Sequence, residues 1–347
     1  MVAFSRRHGQ FYINKPATLL VRSAHQGGCF FSPKGVFVKF EKPSLSISGQ
    51  VAKLESRGLN VQNRSEAEHY LQFIGYYRLS AYTLFFQDGG DPAKPFRKGV
   101  EFRDILNLYR FDRELRLLTI DALERIEVAV RSSMVNEMCI RHGAHWFMNA
   151  GHFYPSYDHA DFLKRIEREL GIRPGTLAPR RPHNETFINH YYQKYGDPYL
   201  PPAWMVAETL SLGAWSLVYE NLRGSGERQA VASHFGTNEA ILTNWLHVLT
   251  YTRNICAHHG RLWNRKFVIK FKIARRHMDF LSTNDRYFAL AVVLEDLLRR
   301  IAPGTGWHLR LLQLLQSHPF VNAAHMGFPK NWEKVAFWNS PQALTKS

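Results

Sequence analysis

Between Val100 and His142 the chain runs for 43 residues without a glycine or a proline. Nothing in that stretch stops a helix. Its apolar residues, Leu106, Tyr109, Leu115, Leu118, Leu123, Ile126 and Val130, recur at spacings of three, four and their sums, with charged residues in the gaps. This is the period of an amphipathic helix and not of a strand. One long helix or two abutting ones would reach ~60 Å at ~1.5 Å per residue. A rod of that length suits the spine of a helical bundle.

The flanking sequence carries the same period. From Lys42, the segment KPSLSISGQVAKLESRG sets Leu45, Ile47, Val51 and Leu54 near helical spacing, with Gly58 as a stop. In SEAEHYLQFIGYYRLSAYTLFF, Ser65 and Glu68 read as a capping box, and Gly75 breaks or bends the helix. Tyr76, Tyr77 and Arg78 could stack on bases, but beside Leu79 and Tyr82 they read as core and rim. Further helices are expected at 161–170, 184–195, 203–222 (with Gly213 inside), 227–235, 237–259, 286–301 and 307–316. Only FVIKFKI, residues 267–273, alternates apolar with basic, and it fits either a short strand or an extended basic arm. The chain has no internal repeats. The fold class is all-α.

With 347 residues, 45% of them hydrophobic, the chain can build a sizeable core. Residues 1–40 are rich in glycine, phenylalanine and basic side chains and lack a helical period. They read as an extension or an upstream start, followed by one helical domain over 41–338 and a tail over 339–347. The three cysteines, Cys29, Cys139 and Cys256, form no CxxC pair, which argues against a disulfide framework or a structural zinc site. ATLLV is too short for a signal-peptide core, and no run nears the ~20 apolar residues of a membrane span. The expectation is a cytoplasmic protein. A formal charge of +16 points to a polyanionic partner, nucleic acid first and a membrane surface second.

The densest chemistry lies in YTRNICAHHGRLWNR, residues 251–265. Rotated at ~100° per residue, a helix from Asn238 to His259 puts Leu242, Trp245, Val248, Leu249, Ile255 and Cys256 on one half. His247, Thr250, Arg253, Asn254 and His258 fall on the other. Asn254 and His258, four apart, are neighbours. Arg253 and His258, five apart, diverge by ~140°. They can converge through arginine's reach, through a kink, or by facing their copies across a two-fold axis.

These side chains fit RNA cleavage without a metal. A histidine titrating near neutrality can take the proton of a 2′-OH or protonate the leaving 5′-oxygen. An arginine can grip the phosphate bidentately as charge builds. An asparagine can orient either. Products would be a 2′,3′-cyclic phosphate and a 5′-hydroxyl. The plain alternative is a solvated helix face. Metal binding by His258 and His259 is disfavoured, because adjacent histidines point ~100° apart and no carboxylate or cysteine sits at ligand spacing. No cofactor is expected. The following run, with Arg261, Arg265, Lys266, Lys270, Lys272, Arg275 and Arg276 and no acid up to His277, reads as a phosphate track or as a solvated basic arm. Arg180 and Arg181, in a Pro/Gly-rich loop, are a second basic spot. Glu208 and Glu220 could pair with an arginine of the motif helix or form core salt bridges. Asp112 and Arg113 are expected in structural pairs.

RNICAHHGRLWNR resembles the signature of the abortive-infection Abi-like proteins of the HEPN superfamily. KPSLSISGQVAKLESRGL, YYRLSAYTLFF, LYRFDRELRLLTIDALERIEVAVRS, LPPAWMVAETLSLGAWSLVYENL and MGFPKNW follow the same pattern in the same order, over about residues 40–338. The resemblance implies a HEPN-type helical bundle with additional helices, a role in phage defence and ribonuclease activity. It implies that Arg253 and His258 act together across a homodimer, with Asn254 as the second polar residue and His259 as the doubled histidine. Partners would be RNA, a second copy and, potentially, an antitoxin or small RNA. A non-catalytic RNA-binding regulator and a HEPN subunit binding a nucleotide or partner enzyme are the alternatives.

Overall fold

The computed structural model describes residues 42–91 and 93–339. The expected extension over 1–40 lies outside them, as does the expected tail apart from Asn339. Among the described residues there are thirteen α-helices and no β-strand. The all-α expectation is met.

The chain opens with α1 (Ile47–Glu55), α2 (Arg64–Ile74) and α3 (Tyr76–Thr83). The expected capping box at Ser65 does not form. Asn63 caps α2 by accepting from the Glu66 amide, while the carboxylate of Glu68 lies 3.4 Å from Arg64. Gly75 does break the helix: with φ 89° it closes α2 and opens α3.

The spine is α4 (Phe102–His142), a single helix of 41 residues. Glu101 and Asp104 make its capping box, and Gly143 at φ 83° ends it. It packs against α3 and, of the helices introduced below, against α7 to α12. Next come α5 (His159–Glu169) and α6 (Thr186–Lys194). The apolar stretch expected as one helix over 203–222 is two, α7 (Ala203–Thr209) and α8 (Leu212–Asn221). Leu210 is extended at the break, and Glu127 of α4 accepts the Leu212 amide at 2.9 Å, which satisfies an open N–H of the new helix start. Within α8, a Cβ on Gly213 would meet Thr250 at 3.2 Å, so the missing side chain lets α8 lie close to the motif helix.

Then follow α9 (Ser225–His234) and the motif helix α10 (Glu239–Ala257), which Asn238 caps through the Ile241 amide. Every residue of α11 (Tyr287–Ile301) from Tyr287 to Leu298 is buried. α12 (Trp307–Ser317) and α13 (Ala336–Asn339) complete the set. From Ser46 onward the described chain packs as one unit.

Candidate active site

α10 carries Leu242, Trp245, Val248, Leu249 and Cys256 into the core. Thr250, expected on the polar face, is buried there as well, against Gly213 of α8. Burial pushes the Cys256 thiol up to about 12. The opposite face bears Arg253 and Asn254.

The helix stops at Ala257, before the histidine pair. His258 is its C-cap, and His259 takes the left-handed conformation, φ 57°. The Gly260 amide reaches back to the Ile255 carbonyl at 2.7 Å, and the His259 amide to Cys256 at 3.0 Å. This pair of bonds is the Schellman stop, in which glycine normally holds the left-handed place. Here a histidine holds it, and Arg78 of α3 donates to its carbonyl at 2.8 Å. Arg78, read from the sequence as rim, secures the turn. Arg261 therefore does not continue the helical stripe.

The chain after the turn is fixed by α4. Asp112 is fully buried, and its Oδ1 accepts the amides of Leu262 at 3.0 Å and Trp263 at 2.5 Å. Its Oδ2 accepts the Tyr82 hydroxyl at 2.6 Å and the Arg116 guanidinium. Burial pushes the carboxyl up, while Arg116, Tyr82 and the two amides pull it back. All four neighbours donate, so the geometry accommodates a carboxylate. Asp112 is thus in a structural pair, with Arg116. Arg113 is exposed and pairs with no carboxylate among the described residues.

Arg253 sits in a groove of about 290 Å³ between α4 and α10. Its Nε is 4.0 Å from Glu127 Oε2, and its side chain is 41% exposed, so a ligand can reach it. Glu127 also faces Arg131, whose Nη1 lies 2.7 Å from Glu208. Glu208 therefore pairs with the spine and not with the motif helix, and Glu220 is exposed, so neither sits in a core bridge to α10. Ala257 lines the groove with Arg253, while Asn254, His258 and His259 do not. All three are exposed, and none has a side-chain hydrogen bond to another described residue. One chain therefore does not gather Arg253 and His258 into a single pocket. Among the described residues no group of three or more His, Cys, Asp or Glu side chains is arranged to hold a metal ion.

The basic run divides. Arg261 is half-buried with its guanidinium over Trp263, and burial followed by the nearby Arg265 charge lowers its pKa. Arg265 donates to the Arg261 carbonyl at 2.6 Å. Residues 267–273 form no strand. Phe267 and Phe271 point inward, while Val268, Lys270 and Lys272 point out. Side-chain caps hold the backbone: Asn244 donates to the Lys270 carbonyl and accepts the Lys272 amide, and Trp245 donates to the Lys272 carbonyl. The segment is an extended basic arm with Lys266, Lys270 and Lys272 exposed. Lys266 lies 3.7 Å from Asp285. Arg276 is engaged elsewhere, by Asp296 and the Gly236 carbonyl.

Asp112, Glu127 and Arg78 are the positioning groups that motif reading passes over. The one signal for Asp112 is local. It is a carboxylate on the apolar stripe of α4, four residues before an arginine.

No described helix is long and apolar enough to cross a membrane. The family model described as Abi-like protein matches residues 69–264, more than half of the chain. The match contains the motif up to Asn264, including Arg253, Asn254, His258 and His259; KPSLSISGQVAKLESRGL before it and MGFPKNW after it fall outside. No curated protein and no solved structure matches the chain.

Proposed function

The chain belongs to the Abi-like protein family, the abortive-infection type, and from that premise we propose that it is a HEPN-type endoribonuclease of phage defence. The observation that carries this reading is the end of α10. Arg253, inside the groove, and His258, outside it, are both open to solvent there, and an exposed basic arm with Lys266, Lys270 and Lys272 follows. Two copies related by a two-fold axis would oppose one protomer's Arg253 to its partner's histidine turn and make a composite cleft. In that cleft His258 moves the proton, at the 2′-OH or at the leaving 5′-oxygen. Arg253 stabilises charge on the phosphoryl oxygens. Asn254 orients the histidine or the ribose, and His259 shapes the turn that presents them. Arg261, Arg265, Lys266, Lys270 and Lys272 neutralise the approaching backbone.

The test is cleavage of labelled RNA by the full chain with EDTA present. Wild type should give 2′,3′-cyclic phosphate ends and leave DNA intact, and His258→Ala should lose at least ~100-fold in rate. Loss of cutting on chelation would overturn the metal-independent mechanism. The second reading, an RNA-binding regulator, draws on Arg253 facing Glu127, which already offsets its charge. That reading prevails if wild type and His258→Ala bind RNA equally and neither cuts it.

A further inference from the structure

Beyond α10 there is a second concentration of uncommitted positive charge. A basin of about 450 Å³ opens where α5 ends and the loop before α6 returns, and Arg168, Arg173, Arg180 and Arg181 line it. Glu169 is the one acid in the lining. None of the four arginines forms an ion pair among the described residues. Several other arginines are paired with acids, Arg64 with Glu55, Arg103 with Glu66, Arg228 with Glu239 and Arg310 with Asp121, whereas here four unpaired ones share one basin.

Arginines near a helix C-terminus commonly serve its open carbonyls. That duty is already filled here. The carbonyls of Ile166, Glu167 and Arg168 accept the amides of Leu170, Ile172 and Gly171, with Gly171 left-handed at φ 72°. The remaining carbonyl, Glu169, faces His183 Nε2 at 3.1 Å. His183 Nδ1 accepts the Glu185 amide at 3.0 Å, which leaves Nε2 to donate to the Glu169 carbonyl. Asn189 clamps the main chain of His183 from both sides. The basin wall is therefore built, and its guanidiniums have no internal use.

We propose that this basin is a phosphate-binding site for the RNA backbone, separate from the α10 motif. Planar guanidiniums grip phosphate oxygens bidentately. The lining contains no Phe, Tyr or Trp, and its one ring, the His183 imidazole, is held edge-on by the Glu169 carbonyl and the Glu185 amide, so charge and not sequence is recognised. The inference shares with the reading above the choice of RNA as the polyanion, but it needs no cleavage.

The test uses the full chain carrying His258→Ala, so that RNA survives, and a fluorescein-labelled single-stranded RNA. Affinity is measured against salt with and without Arg173→Gln/Arg180→Gln/Arg181→Gln. Each single-strand phosphate contact contributes ~0.7 to the slope of log affinity against log salt, so losing three contacts lowers the slope by ~2. That drop, with an unchanged thermal midpoint, supports the basin whether or not the parent chain cuts RNA. An unchanged slope overturns it, and so does an unchanged slope accompanied by loss of tripolyphosphate binding, which would make the ligand a small polyphosphate.

Discussion

Asparagine at Asp112 removes one charge and almost no volume. In the native chain Asp112 is fully buried and takes four donors: Tyr82, Arg116 and the amides of Leu262 and Trp263. In Asp112→Asn the two amides keep an oxygen, but the amide nitrogen turns donors toward Arg116 and Tyr82. Arg116, itself buried, is left without its anion. Removing one partner of a buried pair costs ~3–5 kcal/mol, most of it the stranded charge. Unfolding entropy of ~2.1 cal/mol/K per residue over roughly 300 residues gives ~0.6 kcal/mol/K, so the midpoint should fall by ~5–8 °C. The assay is thermal and urea unfolding followed by circular dichroism. Asp112→Asn/Arg116→Met, which removes the stranded charge, should recover about half of the loss. A single variant within ~1 kcal/mol of wild type, or a double variant worse than the single, would refute the assignment of a buried ion pair holding the chain after the motif.

Four further outcomes are expected. His259→Gly relieves ~1–2 kcal/mol of left-handed strain but adds ~0.4–1 kcal/mol of unfolded-chain entropy, so the midpoint should rise by about a degree, while His259→Ala gains nothing; a drop in the glycine variant would mean the imidazole itself holds the turn. Glu127→Gln should slow RNA cleavage by ~10–100-fold with little change in KM, by loosening Arg253; an unchanged kcat would show that Glu127 is only structural. Stability should decline with alkali. Burial raises the Cys256 thiol to about 12 and raises the buried hydroxyls of Tyr82, Tyr219 and Tyr287, so these groups ionise more readily unfolded than folded. Stability is therefore intact below their unfolded values and falls from about pH 9 upward, and a flat urea midpoint between about pH 8 and 11 would contradict this. Finally, light scattering of the purified chain should give about twice 40.3 kDa, and a monomer active at the same specific rate would rule out the composite cleft.

What could be read ahead of the structure depended on local causes. α4 was legible because its whole length lacks Gly and Pro and keeps one period. Gly75 announced its own break. Helix geometry alone set Arg253 and His258 apart, and Arg253 lines a groove that His258 does not. The division of 203–222 was not legible, because no Gly or Pro marks Leu210 and the group that satisfies the new helix start is Glu127, 85 residues away in sequence. The end of α10 was placed two residues late for the same kind of reason: His259 accepts a glycine conformation, with Arg78 from 181 residues away on its carbonyl. Alternation in 267–273 correctly put the lysines outside. It could not show that Asn244 and Trp245 would hold the backbone where a neighbouring strand would otherwise be required.

Asp112 and Glu127 belong to one unbroken helix, 15 residues apart. One holds the chain just past the histidine turn, and the other faces Arg253. Their separation is ~22 Å along the axis and ~60° around it, set by the pitch of α4 and by no loop. The spine thus acts as a gauge for the site. A single residue inserted between them would turn one hold ~100° away from the other, while helix propensity and core composition stayed nearly the same. A four-residue insertion would restore the angle to within ~40° yet lengthen the gauge by ~6 Å. The exposed positions in the middle of α4 should therefore accept substitution but no change of length.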